Sequence, residues 1–260
     1  MIRIRNVVMI GAGNVAWHLA IALHRKGIKI IQICNRTKSK GEALARKTGA
    51  HITSDMKDIE EHADLYILAV HDAAIPEVAH HFPFQNKILV HVSGSIPMSV
   101  LRESSTRPGV IYPLQVFSSH HRISFRTIPL CIEAGSKEDL NAIKELALTL
   151  SDRVYEFNSD QRRLLHLAAV FAGNFSHFMY VIAEEILKDN GIPFDLLQPL
   201  IRKIASNANS KDLFHRQTGP AVREDQAILD LHREMIAGNA AYRKIYDVIT
   251  KSIIQYKRKP

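Results

Sequence analysis

Residues 7–37 read VVMIGAGNVAWHLAIALHRKGIKIIQICNRT. An apolar run, a glycine-rich turn, an amphipathic run and a second apolar run follow one another, which predicts strand, turn, helix and strand. Gly11 allows the tight turn, Gly13 lets a pyrophosphate approach the backbone, and Ala16 lets the helix lie close to the sheet. A glycine-rich turn that binds nothing is the alternative, but this context favours a dinucleotide site at the start of the helix. The residues predicted to hold the dinucleotide here are Gly11, Gly13, Asn14 and Val15.

The end of the second predicted strand indicates which dinucleotide binds. A carboxylate usually lies about 20 residues after the glycines, where it binds the ribose 2′-hydroxyl of NAD. No acid occurs there, and the chain has Asn35, Arg36 and Thr37, followed by Lys38 and Lys40. Because a guanidinium can bind a 2′-phosphate that a carboxylate would repel, the sequence predicts NADP. The alternative is that Arg36 is an ordinary surface arginine.

Predicted strands and helices alternate as far as residue 157, which indicates an α/β fold with a doubly wound, mostly parallel Rossmann sheet. Further strands are expected at residues 64–70, 87–92 and 128–133. Ligands of such sheets bind beyond the carboxyl ends of the strands. The residues predicted at this edge are Val70 and His71 for the cofactor, Ser93 for catalysis, and Ser95 and Gln115 for the substrate.

From residue 159 onward the chain is predicted to form an all-helical C-terminal domain. We therefore expect two domains, a nucleotide-binding Rossmann domain over residues 1–157 and a helical domain over residues 158–260. The longest helix is expected at residues 160–188, and Asn190, Gly191 and Pro193 end it. Because residues 164–186 are apolar on nearly all sides, this helix is expected to be buried. Further helices are expected at residues 194–208, 226–235 and 240–256.

Polar side chains interrupt the long apolar helix. At 3.6 residues per turn, His166, Gly173 and His177 fall on one face, with Asn174 at its flank. Buried polar groups need partners, and a ligand in a cleft between the domains could supply them. Under this interpretation, His166 donates a proton and Asn174 orients the substrate. The equally weighted alternative is that both side chains bond to neighbouring parts of the protein.

A second candidate site lies at residues 218–225, TGPAVRED. The Gly–Pro turn before Arg223 can begin a helix whose amides face a substrate, and Arg223 can bind a carboxylate. The alternative is a capped helix start with a structural Arg–Asp pair, and the sequence does not decide between the two.

The charge, the apolar runs, the cysteines and the histidines of the sequence exclude several kinds of partner and site from the prediction. The formal charge of +8 is spread along the chain without a basic, aromatic-interleaved stripe, so no nucleic acid partner is expected. Apolar runs interrupted by Asn, His or Ser predict no membrane span, and the first residues predict a strand rather than a signal peptide. Cys34 and Cys131 lie in apolar runs and are expected to be reduced core residues of a cytoplasmic protein. The fourteen histidines lack metal-site spacings, so no metal is expected.

Six motifs together resemble one family. They are GAGNVA, NRT, HVSGS, YPLQVFS, HLAAVFAGNF and TGPAVRED, in this order along essentially the whole chain. The family joins a Rossmann-like NADP-binding domain to a helical domain of unknown function, and its members are named NADP oxidoreductases. More distantly, the layout is similar to pyrroline-5-carboxylate reductase, ketopantoate reductase and the β-hydroxyacid dehydrogenases. The resemblance implies NADP at the glycine loop, a substrate cleft between the domains, and a homodimer formed through the helices.

One departure from the distant relatives concerns the proton donor. The β-hydroxyacid dehydrogenases carry a catalytic lysine on the interdomain helix, with an asparagine one turn later. No lysine occurs here between Lys144 and Lys188, and Asn174 lies two turns after His166. A histidine can protonate a carbonyl or an imine during hydride transfer. The hypothesis is therefore an NADPH-dependent reductase for a small carbonyl or imine compound, with Arg223 holding an acidic group.

A non-catalytic NADP-binding sensor or scaffold, acting through the helical domain, is the alternative hypothesis. It is favoured if protein side chains fill the polar face of the long helix and leave no room for a substrate. A nucleic-acid-associated protein is a third interpretation, which only the positive charge suggests.

Overall fold

The structure of the protein, a computed structural model, describes residues 2–118, 123–208 and 212–258. The chain divides into two compact units, residues 1–174 and residues 175–260. The functional boundary expected after residue 157 stays a prediction, because a division by backbone proximity does not assign a function to either part.

Eight strands form one sheet in the described part of the first unit. They are β1 Asn6–Ile10, β2 Lys29–Cys34, β3 His51–Thr53, β4 Leu65–Leu68, β5 Ile88–His91, β6 Arg107–Pro113, β7 Leu130–Ala134 and β8 Val154–Glu156. Their order in the sheet is β3-β2-β1-β4-β5-β6-β7-β8. Neighbouring strands are parallel except β6 and β7, which pair antiparallel. The predicted doubly wound, mostly parallel Rossmann sheet is confirmed.

Helices cover both faces of this sheet. They are α1 Asn14–Arg25, α2 Lys38–Thr48, α3 Ile75–His80 and α4 Lys137–Leu150. Successive residues of β1 point to opposite sides, so Val7 and Met9 join the core that includes α1, α2 and α4, while Val8 and Ile10 join the core that includes α3. Because both faces are buried, the strands are apolar without alternation.

Ser54 and Asp55 have the side chains of a helix cap, which predicts a short helix ending near residue 63, and this prediction is wrong. Only a single 3-10 turn forms, Met56–Asp58, which Asp55 caps by accepting from the amide of Lys57 at 2.9 Å. The amide of Glu60 donates instead to the side chain of Gln32 at 2.9 Å. This long-range bond takes the backbone group that would have continued the helix.

One continuous helix, Ser159–Lys188, passes from the first unit into the second. It consists of α5 Ser159–Ala169, a π-helical segment Val170–Phe175 and α6 Ser176–Lys188. Asn158 begins it with a capping box. The long helix is confirmed, but the π-helical segment was not predicted, because its small and apolar residues carry no periodic signal. The later predicted helices form as α7 Gln198–Asn207, α9 Gln226–Met235 and α10 Ala240–Lys257, and a short helix, α8 Pro220–Arg223, follows the Gly–Pro turn.

The expected burial of the long helix is wrong within one copy of the chain. Its large apolar side chains are about half exposed or more, namely Leu164, Leu167, Phe171, Phe175 and Phe178. By length and composition alone the helix is apolar enough to cross a membrane, and only 6% of its most apolar window is buried, so the absence of a membrane span stays a prediction. The burial prediction failed because apolar composition shows that a surface avoids water, not that the same chain covers it.

Candidate active site

The turn after β1 brings two strand ends into close contact. Gly11 has a φ of +108°, and a Cβ there would lie 2.3 Å from the carbonyl oxygen of Ala69. Its amide donates to the carbonyl of Cys34 at 2.8 Å, and Val70 lies beside it. Because other residues rarely adopt this left-handed conformation and have no space here, the turn requires glycine at this position.

The start of α1 has open backbone groups. Gly13 is the N-cap residue, and a Cβ on it would have no neighbour within 4 Å. No side chain caps the amides that follow, and the first helical turn contains no acid. Asn14 is held to the side by a 3.0 Å bond from its Nδ2 to the carbonyl of Phe117. Free amides without a nearby carboxylate fit the pyrophosphate of NADP.

The residues predicted for the 2′-phosphate lie in a turn between β2 and α2. Asn35 Nδ2 donates to the carbonyl of Thr37 at 2.7 Å, and Thr37 is the N-cap residue of α2. Arg36 is exposed and forms no ion pair with any residue in the described ranges. An exposed guanidinium, without an acid in the following helical turn, fits an additional phosphate.

A tight loop follows β5 at the same sheet edge. The buried Ser93 accepts hydrogen bonds at Oγ from the amides of Ser95 at 3.0 Å and Ile96 at 3.1 Å. The Ser93 amide donates to Nδ1 of His91 at 3.2 Å. Burial, and then the Arg162 guanidinium, lower the pKa of His91 to about 3, so this imidazole stays neutral and accepts the bond. Ser93 thus shapes the loop, and its catalytic role stays a prediction.

Arg162, in the first turns of α5, reaches this loop and is only 1% exposed. Its guanidinium donates to the carbonyls of Ser93 at 3.2 Å and Ile96 at 2.6 Å, and forms an ion pair with Glu133 on β7. Ser159 donates to the same carboxylate at 2.8 Å. A buried charge requires such partners. These bonds hold α5 against the ends of β5 and β7, a function that the sequence interpretation missed.

His166 lies one turn after Arg162, on the same side of α5. Its Nδ1 lies 3.0 Å from Oη of Tyr112 on β6, with the two rings edge to face at 5.9 Å. Gly94 provides the space for this pair, because a Cβ there would lie 2.7 Å from Nδ1 of His166 and 2.8 Å from Cζ of Tyr112. The structure therefore brings His166 and the loop after β5 together, as well as a tyrosine that was not predicted as a site residue.

Tyr112 had one signal in the sequence, since it is the polar residue within the apolar strand that begins the motif YPLQVFS. Burial, with smaller contributions from Cys131 and Asp72, raises the pKa of Tyr112 to about 12, and Arg162 acts in the opposite direction. The hydroxyl therefore stays protonated at neutral pH and can donate a hydrogen bond.

Four other predicted residues lie outside this cluster. Asn174 is exposed in the π-helical segment, and His71 is exposed after β4. Gln115 is exposed, and its side chain accepts from the amide of Val116 at 2.9 Å. Arg223 belongs to the second unit, and the structural Arg–Asp pair considered for it does not form among the described residues. Their proposed roles stay predictions.

The two cysteines and the possible metal ligands are the remaining candidates for a further site. Cys34 and Cys131 are free and buried, which confirms the predicted core thiols, and burial raises the pKa of each to about 11. Across the ranges that the structure describes, no group of three or more His, Cys, Asp or Glu side chains is placed to hold a metal ion.

Comparison with known proteins identifies the family. A family model described as NADP oxidoreductase, coenzyme F420-dependent, matches residues 6–94, and a domain of unknown function (DUF2520) matches residues 128–253. A crystallised candidate NADP oxidoreductase from Bacteroides fragilis is 40% identical with a TM-score of 0.92, over 98% of this chain and 100% of that chain. The chain belongs to the NADP oxidoreductase family. The predicted family, enzyme class and cofactor are thereby confirmed.

This NADP oxidoreductase is also similar to two other reductases, to one over nearly the whole chain and to the other over a short segment. An imine reductase from Myxococcus stipitatus, crystallised with NADP+, is 17% identical with a TM-score of 0.67, over 96% of this chain and 93% of that chain. A glutamyl-tRNA reductase from Methanosarcina mazei is 40% identical over 65 residues, which are 24% of this chain and only 14% of that curated relative. The first similarity shows a common fold, and the second shows a common segment.

The ion pair between Arg162 and Glu133 can be tested by stability. We expect Glu133→Gln to lower the free energy of unfolding by about 3 kcal/mol, because it leaves a buried guanidinium without its counter-charge. The matched control is Glu156→Gln on the neighbouring strand, whose pair with Lys144 is exposed on both sides and should contribute less than about 1 kcal/mol. Urea unfolding of both variants measures the difference, and equal losses would contradict the prediction.

Proposed function

We propose that this NADP oxidoreductase reduces a small carbonyl or imine compound, and that His166 donates the proton. The observation that carries the proposal is the contact of His166 with the loop after β5, at the sheet edge where doubly wound proteins bind ligands. The fold in common with an imine reductase supports the substrate class. Membership in an oxidoreductase family weighs against the alternative of a non-catalytic sensor.

The cofactor residues follow from the open groups described above. NADPH, when bound, supplies the hydride that reduces the substrate carbon. The amides at the start of α1 would bind the pyrophosphate, and the Arg36 guanidinium would bind the 2′-phosphate. The full set proposed for the cofactor is Gly11, Gly13, Asn14, Val15, Asn35, Arg36, Thr37, Val70 and His71.

The substrate needs a proton, because reduction of a C=O or C=N bond places an electron pair on the oxygen or nitrogen. Histidine is suited to supply it at neutral pH, and no lysine lies on the long helix before Lys188. We propose that Asn174 orients the substrate and that Arg223 holds an acidic group on it. Ser93, Ser95 and Gln115 complete the proposed set around the substrate.

The preference for NADPH can be tested at Arg36. Arg36→Ala should raise the dissociation constant of NADPH about tenfold or more, because it removes a charge-assisted hydrogen bond of about 1.5–3 kcal/mol. NADH lacks the 2′-phosphate, so its affinity should not change. Arg46→Ala on α2 is the control, since Arg46 is exposed and its ion pair within the described ranges is with Glu42. Calorimetric titration measures both affinities, and an equal loss for NADH would refute the role of Arg36.

The reaction can be tested with a panel of cyclic imines and ketones, followed by the absorbance of NADPH with NADH as the control. His166→Ala should lower kcat about 100-fold or more, which is the usual contribution of a general acid, and should leave NADPH affinity unchanged. The exposed His62 provides a control, because His62→Ala should keep full activity. Unchanged turnover of His166→Ala would remove this residue from the mechanism.

We also propose that a second copy of the chain covers the exposed apolar face of the long helix, which makes a cytoplasmic homodimer. Monomers rarely leave a large apolar patch in water. Polar residues along the helix, such as Asn174 and His177, disfavour a position in lipid. The two buried thiols fit a reducing compartment.

The homodimer can be tested by light scattering after size-exclusion chromatography without detergent. Wild-type protein should have twice the mass of one chain, and Phe178→Glu should make it monomeric, because a charge would enter an apolar interface. Leu148→Glu is the control, since Leu148 is 53% exposed but belongs to α4 and not to the long helix. Monomeric wild-type protein, or protein that needs detergent, would contradict the proposal.

A further inference from the structure

The contact between Tyr112 and His166 occupies one specific ring nitrogen. Oη of Tyr112 lies 3.0 Å from Nδ1 of His166, whereas Nε2 has no hydrogen-bond partner among the residues that the structure describes. Tyr112 itself makes no other side-chain hydrogen bond in those ranges. The hydroxyl and the imidazole are therefore partners of each other, and Nε2 stays available to another molecule.

The direction of this hydrogen bond follows from the chemistry of the two groups. A neutral imidazole has one nitrogen that donates and one that accepts. The hydroxyl group of Tyr112 is a hydrogen-bond donor, because its raised pKa keeps it protonated. If Tyr112 donates to Nδ1 of His166, both groups are satisfied, and the ring hydrogen must lie on Nε2.

We propose that Tyr112 is a positioning residue that binds Nδ1 of His166 and thereby presents Nε2 as the nitrogen that serves the substrate. This inference rests on the proposed function of His166. Tyr112 does not itself touch the reacting atoms; it acts by selecting the ring tautomer and the ring orientation.

Two features of the structure preserve this arrangement. Gly94 has no Cβ, so the Tyr112 ring and the His166 ring can both lie against the backbone of the loop after β5. Arg162 anchors the same loop through the carbonyls of Ser93 and Ile96. Arg162 therefore holds the loop to the helix that carries His166, and the rings of Tyr112 and His166 both lie against this loop at Gly94.

The same hydrogen bond is compatible with proton transfer. When His166 is protonated, both ring nitrogens carry hydrogen, and Nδ1 then donates to Oη of Tyr112. The Nε2 proton moves to the substrate oxygen or nitrogen, which receives the electron pair of the reduced double bond. The ring becomes neutral with its remaining hydrogen on Nδ1, which still donates to Oη of Tyr112, and a proton from solvent then returns to Nε2. The charged and titratable groups around the pair are Arg162, Asp72 and Cys131.

Nuclear magnetic resonance of protein labelled with 15N-histidine tests the tautomer without any substrate. His166→Gln identifies the ring signals by their loss. We expect the neutral His166 ring of wild-type protein to carry its hydrogen on Nε2, and Tyr112→Phe to give a mixture of both tautomers. The control is Tyr155→Phe on β8, since Tyr155 is exposed and lies outside the cluster. A ring that keeps the same tautomer in Tyr112→Phe would overturn the proposal.

A double-mutant cycle on the imine and ketone panel tests the effect on turnover. Tyr112→Phe should lower kcat about tenfold with an unchanged KM for NADPH, and should have no further effect in a His166→Ala background. An equal loss in that background would overturn the proposal, because Tyr112 would then act without His166. If His166→Ala keeps its turnover, the proposed function fails, whereas the resonance experiment still decides the tautomer.

Discussion

The site depends on a buried ion pair between residues that are 29 positions apart in the chain. The Arg162 guanidinium is almost completely shielded from solvent. Its charge must therefore be balanced by the Glu133 carboxylate and by hydrogen bonds to backbone carbonyls. Those carbonyls belong to the loop that follows β5. Because His166 lies four residues after Arg162 in the same helix, the ion pair also fixes the height and rotation of the imidazole relative to this loop.

Two glycines have comparable roles at the same sheet edge, for different reasons. Gly11 adopts a left-handed conformation and packs on the carbonyl of Ala69, so the turn before α1 cannot accept a side chain. Gly94 leaves space for two side chains, those of Tyr112 and His166. The first glycine fixes the backbone that faces a dinucleotide, and the second fixes the aromatic pair beside it. The sequence shows a glycine at both positions and does not distinguish between these two reasons.

The sequence predicted the sheet, the glycine turn and the long helix, because periodicity and turn chemistry are local signals. It did not predict the contact of Tyr112 with His166 or the role of Arg162, because the partners lie 54 and 29 residues away and depend on which strands become neighbours. It overestimated the burial of the long helix, since periodicity does not say which molecule covers an apolar face. It placed Asn174 at the flank of the helix face that carries His166, two turns later on an ideal helix, whereas Asn174 lies within a π-helical segment.

Under the proposed function, His166 takes the place of the catalytic lysine of the distant relatives, and a histidine in this role needs a second residue. A lysine ammonium has three equivalent hydrogens and can present any of them to a substrate. An imidazole has two inequivalent nitrogens, and only one of them can face the substrate while the other needs a partner inside the protein. Tyr112 is that partner, and the pair fits only where the backbone lacks a Cβ. Histidine, tyrosine and glycine therefore form one unit, in which a change of any member alters the environment of the other two.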